Sequence, residues 1–475
     1  MKNIFKFFFL IFFLIIIFFL SLNKKIIINS YLLFNCRNCN LKTFFFQRKN
    51  DEIPRKHYKF NIIKNYNLTF YSEKNEDKFR VTKLKALGFS RNENLNNHFN
   101  LYILPYIMKD DLKKKISKSI INKYQKINQF FNYKEYSSKS LLYLNYRKMK
   151  KLFPILYNYM PETFSYPEDK FIILKKFKYY SYFNASKDNM WLVKPKLSLS
   201  GKGIHFLENI SYIDSNYLIT KYLYNPHLIK GLKYDLRVHG LVTSIKPLKI
   251  YLYNEGLVRL ATEIYNSYNK DNKFCFLTNL YLNKKNKKKF IYPQNISNIE
   301  DSHLWNFKAL QKYYLRNGID FNKIFEDIKD IFIKMIFSVR EKIIKNIEVY
   351  NLSVSNFYHL IGFDIILDEN LKPYLLEVNR KTGFRDNNDA EKNFTFNIII
   401  DTINLVGIFP MIISKKRKNN YNLKEIIEEN ICELNKPRGG YQLIFPLKKN
   451  IEMYKTLYLN NIPKEDLELW KYLKE

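Results

Sequence analysis

The chain has 475 residues, 46% of them hydrophobic and 17% aromatic, and a formal net charge of +36. That length suits two or three domains, and that apolar content excludes disorder of the whole chain. A surface this basic attracts polyanions, whether nucleic acid, anionic membrane or acidic polypeptide. Lys, Asn, Ile, Phe and Tyr are abundant throughout, as AT-rich coding would make them, so charge alone names no partner.

Residues 1–22 open with an unbroken apolar run from Phe7 to Leu20, preceded by Lys2 and Lys6 and followed by Lys24 and Lys25. The run is apolar all round and lacks a small-residue cleavage site, which predicts an uncleaved anchor or a poor signal peptide. The flanking lysines do not set an orientation. Residues 23–83 are polar and Lys/Asn-rich and read as a low-complexity linker. They contain Cys36 and Cys39, a lone C-x-x-C, while Cys275 and Cys432 stand apart. One such pair is weak evidence for zinc, and four cysteines in this length make no disulfide framework, which fits a reducing compartment.

Residues 84–160 read as an N-terminal subdomain, with helical apolar spacing over 108–121. Residues 161–223 form a second unit, entered through a Pro-punctuated loop at 161–168 and holding a short strand at 191–193. Residues 224–413 form the third. There 236–242 alternates like a strand, breaks at Ile245-Lys246-Pro247 and resumes over 248–253, as a hairpin does. Spacing over 320–345 predicts a helix, and 361–367 with 374–378 a second hairpin. An apolar helix ends in the stretch 404–410. Residues 414–475 read as a basic C-terminal extension.

Chemistry concentrates in four places. In the second hairpin, Glu377 and Asn379 share a strand face and the turn brings Asp364 alongside. Two carboxylates and an amide converging there suit a hard cation such as Mg²⁺, although a polar solvent face is the plainer alternative. Lys233, Asp235 and Arg237 also share a face. They suit a phosphate and carboxylate clamp, or else a cross-strand ion-pair ladder. Lys194 ends a strand ahead of Gly201-Lys202-Gly203, a turn whose amides could approach phosphate. It matches no P-loop, and any tight turn uses such glycines. Arg259 could hold charge on a transferring phosphoryl group, or be a surface arginine at a turn.

In order, these segments resemble the tubulin tyrosine ligase-like family. WLVKP…SGKGI, ITKYLYNPHLIKGLKYDLRV, PLKIYLYNEGLVRLAT, FLTN and GFDIILDENLKPYLLEVN follow its core motifs. NHF at 97–99, MKDDL at 108–112, PETFSYPED at 161–169 and RGGYQLIFP at 438–446 fit as well, so the likeness covers roughly 84–447. The polyglutamylase branch is the most similar, through NKKN after the LTN segment, the WNFKAL stretch and INLVGIFP. The resemblance implies an α+β ATP-grasp fold, ATP and Mg²⁺ as cofactors, and the acidic tails of α/β-tubulin as substrate, in cytoplasm and cytoskeleton. A catalytic domain in the cytosol on a membrane anchor would reconcile this with residues 1–22.

Carried over by position, Lys109 and Lys194 would contact ATP phosphates, beside the Gly201-Lys202-Gly203 turn. Lys221, Tyr222 and Leu223 would form the adenine hinge. Lys233, Asp235 and Asn279 would sit at the nucleotide, with Arg237 holding a carboxylate and Arg259 the transferring phosphoryl group. Asp364, Glu377 and Asn379 would bind magnesium. The implied reaction phosphorylates a glutamate side chain of the tail, and the amine of free glutamate then displaces phosphate to form an isopeptide. Two departures stand out. Arg380-Lys-Thr-Gly-Phe384 follows Asn379 where the family has small residues, proline and serine, and Phe276 replaces a histidine. Transfer of tyrosine or glycine, another acidic protein as substrate, and an inactive microtubule binder remain alternatives. A nucleic-acid binder is disfavoured, because the lysines are spread and no such motif is visible.

Overall fold

A computed structural model describes residues 31–35, 42–46, 59–63, 68–73, 78–95, 99–105, 108–120, 124–182, 190–196, 202–207, 216–266, 271–293, 299–384, 387–408, 422–459 and 461–474. The apolar run at 1–22, the C-x-x-C and Gly201 lie outside them. Among the described residues, no helix is long and apolar enough to cross a membrane. The chain divides into two units, residues 1–128 with 396–439, and residues 129–395 with 440–475.

The first unit contains strands where a linker was expected. Tyr31–Asn35 lies between Lys42–Phe45 and Lys59–Ile63 in an antiparallel sheet. A parallel sheet runs in the order Ser90–Asn92, Thr69–Ser72, Leu101–Ile103, Lys126–Ile127. Such strands, two to five residues long, are too short to set up a periodicity; their pairing is long-range and invisible to a local reading. The helix expected over 108–121 spans Asp110–Ser119.

The second unit is built on Leu232–Ile245, a 14-residue strand. One edge pairs first with Leu257–Ile264 and then with Leu248–Tyr253; the other pairs with His359–Leu367, which pairs in turn with Pro373–Asn379. Both predicted hairpins are present. The predicted helix runs over Phe321–Val349, capped by the Asp320 carboxylate on the Asn322 N–H. It lies on the even-numbered face of the central strand, where Phe332 stacks on Phe363 at 4.7 Å. Gly240 makes room for it: a Cβ there would stand 2.2 Å from the Phe332 ring. The odd-numbered face, with Lys233, Asp235, Arg237 and His239, is left to other work.

A smaller antiparallel sheet, ordered His205–Phe206, Trp191–Pro195, Tyr217–Lys221, Thr163–Tyr166, completes the architecture. Of the expected C-terminal extension, residues 440–475 are instead part of this unit. Tyr441–Phe445 pairs with Leu248–Tyr253, and the helix Lys464–Lys474 places Asp466 in the core. Asp466 accepts from the Leu248 N–H at 2.9 Å and the Tyr458 hydroxyl at 2.6 Å, and pairs with the buried Arg340 at 3.0 Å. The surrounding lysines hid this from a reading of composition.

Candidate active site

Strand register alone lines up the charges. Arg259 is opposite Asp235, Arg237 opposite Asp364, and Asp364 opposite Glu377. Side chains directly opposite share a face, so one row of charge crosses four strands. Arg259 is therefore a buried strand residue and not a surface arginine at a turn.

The side chains close this row into a network. Arg259 holds both oxygens of Asp235, at 2.6 and 2.7 Å, and reaches Asp364 at 2.7 Å. Arg237 forks onto Asp364 through Nε and Nη2, and its Nη1 donates to the Thr382 carbonyl at 3.2 Å. Thr278 donates its hydroxyl proton to Asp235. The Asn379 amide faces Asp364 at 3.4 Å and Glu377 at 3.3 Å. Burial works against the charge on Asp364, but Arg237 and Arg259 outweigh it and hold the carboxyl well below its usual range. Glu377 moves the other way, raised by burial and by the charge of Asp364 beside it. Two neighbouring carboxylates driven apart in this way suit a place where a cation binds or a proton is shared.

Above the row lies a cleft of about 840 Å³, counted out to its solvent mouth. Lys139, Lys194 and Lys233 line it together with Asp235, Arg259, Thr278, Asp364 and Glu377. Burial, and then the charge of Lys194, brings Lys233 down to about 7, and its ammonium donates to the Tyr222 hydroxyl at 2.9 Å. Burial brings Lys194 down to about 8, although Glu377 pulls it back up. Lys139 is lowered by burial too. Three desolvated amines in one cleft want anions. The hinge residues Lys221, Tyr222 and Leu223 border the same cleft, as does Asn279. The Tyr222 backbone N–H is taken by the Met190 carbonyl at 2.8 Å.

Not every expected residue is there. Lys109 precedes the Asp110–Ser119 helix, in the other of the two units. Lys202 and Gly203 sit in the turn before His205–Phe206 and do not line the cleft. Gly203 has φ +73° and packs on Pro195, so it serves the turn itself. Lys139 was missed. Its signal was legible, because Asn128-Gln129-Phe130 followed by Lys139-Ser-Leu-Leu repeats, at nearly the same spacing, the Asn97-His98-Phe99 and Lys109-Asp-Asp-Leu pattern. Thr278 was missed as well, its hydroxyl being meaningful only once Asp235 is placed.

The two departures also have positions. Phe276 packs on Phe206 at 4.8 Å in the apolar wall. Arg380 lies over the Tyr133 ring at 4.4 Å, and its carbonyl meets His359 Nε2 at 3.1 Å. The segment then wraps Arg237: at Gly383, with φ +70°, a Cβ would stand 2.9 Å from Arg237 Nη1. His239 ends the row between Phe384 and Phe394, held neutral at about 3 by burial and by Arg237.

A small antiparallel sheet and a large one, a cleft lined by lysines and a floor of acidic strand residues are features of an ATP-grasp-like fold. A family profile described as tubulin-tyrosine ligase family matches residues 115–420. The chain belongs to that family. It is 35% identical over 293 residues to tubulin monoglutamylase TTLL4 of Mus musculus, covering 60% of this chain and 24% of that one. It is 31% identical to tubulin polyglutamylase TTLL5 of Mus musculus, covering 73% and 26%. To tubulin polyglutamylase TTLL6 of Mus musculus it is 30% identical, covering 71% and 43%. The chain thus spans less than half the length of each of these relatives.

Proposed function

We propose that this chain is an ATP-dependent ligase that joins the amine of free glutamate to glutamate side chains in the acidic tails of tubulin. The observation that carries the reading is the Arg259–Asp235–Arg237–Asp364–Glu377 network, of which all but Arg237 line one cleft together with the buried Lys233 and the half-buried Lys139 and Lys194. The names of the relatives support the choice of substrate.

The residues fit the expected cofactors. Among the described residues, no cluster of three or more His, Cys, Asp or Glu side chains is placed to hold a metal. Magnesium needs less: one or two carboxylates, with phosphates and water supplying the rest. Asp364 and Glu377 provide the carboxylates, and the Asn379 amide can turn its oxygen to the same point. ATP with magnesium supplies the phosphoryl group that activates an acceptor carboxylate for attack by an amine. Lys139 and Lys194 neutralise phosphate oxygens, and Lys233 adds a third donor beside the hinge at Lys221–Leu223. Arg259 holds developing charge without moving, because two carboxylates already fix it. Arg237 has part of its fork on Asp364 and Thr382, so it orients Asp364 first and has two N–H groups left for a substrate carboxylate. Asp235 and Thr278 keep Arg259 in register. The expected site of action is the microtubule cytoskeleton.

The test is incorporation of labelled glutamate into tubulin with ATP and Mg²⁺, comparing wild type with Glu377→Gln. Tyrosine and glycine are offered in parallel. Incorporation of glutamate that the variant loses is the expected result; incorporation of none of the three overturns the reading.

A further inference from the structure

One short helical turn, Leu280–Asn283, separates the cleft-lining residues Leu277, Thr278 and Asn279 from Lys284-Lys-Asn-Lys-Lys-Lys289, with five lysines among residues 284–289. So many like charges should spread a loop apart. Here two asparagines hold it. Asn283 is fully buried; its amide donates to the carbonyls of Leu277 at 2.8 Å and Asn279 at 3.2 Å. Its oxygen accepts from the Thr262 N–H at 2.9 Å. Asn286 donates to the Thr262 hydroxyl at 3.1 Å and to Glu263 at 3.2 Å. Consecutive turns stack on this anchor, with the Asn286 N–H on the Asn283 carbonyl at 3.0 Å and the Lys289 N–H on the Asn286 carbonyl at 3.1 Å. The loop is thus tied both to the cleft rim and to the strand that carries Arg259.

Its ammonium groups face outward. Lys289 pairs with Glu263 at 3.2 Å while staying 58% exposed. Lys284 and Lys285 lie over the rings of Tyr292 and Tyr281. Lys287 and Lys288 are exposed and have no ion-pair partner among the described residues. Lys287 and Lys288, at the outer end of the turn, are thus left to the solvent. None of the five lines the cleft, which has its own buried amines for phosphate. Hydrated lysines on a rigid turn suit several carboxylates on an extended chain, each contact weak and the sum steering approach.

We infer that the 284–289 turn is the docking rail for an acidic polypeptide, gripping carboxylates next to the acceptor while the acceptor enters the cleft. The inference deepens, and rests on, the ligase reading of that cleft. Because the rail is bonded to the cleft rim, it sets the distance between the docked segment and the reacting group.

The test uses the full chain and a fluorescent glutamate-rich peptide. Binding is read by anisotropy without ATP, and KM and kcat are read separately with ATP, Mg²⁺ and glutamate. The variant is Lys287→Glu with Lys288→Glu. The control, Lys150→Glu with Lys151→Glu, makes the same charge change on exposed lysines at the end of another helix. The rail variant should raise the peptide's Kd and KM about tenfold and flatten their salt dependence, with kcat unchanged and the control within about twofold. Equal weakening by both pairs, no weakening by the rail variant, or no peptide binding by the wild type overturns the inference. So does displacement of the peptide by single-stranded RNA at lower concentration. Peptide binding through the rail without incorporation sinks the ligase reading alone. Incorporation that ignores the rail variant sinks the rail alone.

Discussion

The second unit buries arginine–aspartate pairs in two places, and they are built to opposite ends. At one, Arg340 meets Asp466, and the remaining needs are met locally: Arg340 Nε donates to the Ile245 carbonyl at 3.0 Å, and Asp466 takes Leu248 and Tyr458. At the other, Arg237 and Arg259 share Asp364, and Glu377 sits against it with a raised affinity for a proton. The first group is saturated by its own chain. The second faces an open cleft together with a second carboxylate and three amines. Residue type is alike, so what separates a staple from a reactive site is whether the pair is closed off in the core or borders a cleft that a ligand can enter.

The largest effects should divide the two. Glu377→Gln should cut incorporation by about 10³-fold while leaving the melting temperature nearly unchanged. Asp466→Ala should cost about 3–5 kcal/mol in a denaturant titration, because it strands Arg340 in the core, while the activity per folded molecule is retained. Activity lost equally in both would erase the distinction. Next, Lys139→Met should weaken ATP binding about tenfold by calorimetry and Lys109→Met should not; the reverse result would return the phosphate contact to the first unit. The pH profile follows from Lys233. Held near 7, it is charged below that pH and neutral above it, and phosphate favours the charged form. ATP affinity should therefore fall a few-fold, roughly, as pH rises from about 6.5 to 8, and Lys233→Met should flatten that fall. The smallest effect is that of Gly383→Ala. The left-handed backbone and the approach to Arg237 should cost about 1 kcal/mol of stability and lower kcat, measured side by side.

Much of the second unit was legible because its strands alternate. Glu377 and Asn379, like Lys233, Asp235 and Arg237, declare a shared face by spacing alone, and the turn between the two hairpin strands brings Asp364 in. Lys139 stands on a helix with no such pattern around it, and a similar phrase at Asn97–Leu112 drew attention away. Thr278 acquires a role only through a contact 43 residues away in sequence. The sheet around Tyr31–Asn35 and the strand Tyr441–Phe445 were hidden for another reason: lysine and asparagine fill their neighbourhoods, and edge pairing leaves little mark on composition.

The late strand also sets a schedule. The ribosome makes residues 129–395, then 396–439 of the other unit, and only then the segment that supplies Tyr441–Phe445 and Asp466. Until residue 466 has emerged, Arg340 has only its neighbour Glu341 for a carboxylate and Leu248–Tyr253 has a bare edge, so a nascent chain bearing every cleft residue still lacks a finished sheet. A stop codon before residue 441 would thus yield a chain with the entire reactive row and a poor chance of holding it, and such truncations should collect in chaperone-bound or degraded fractions.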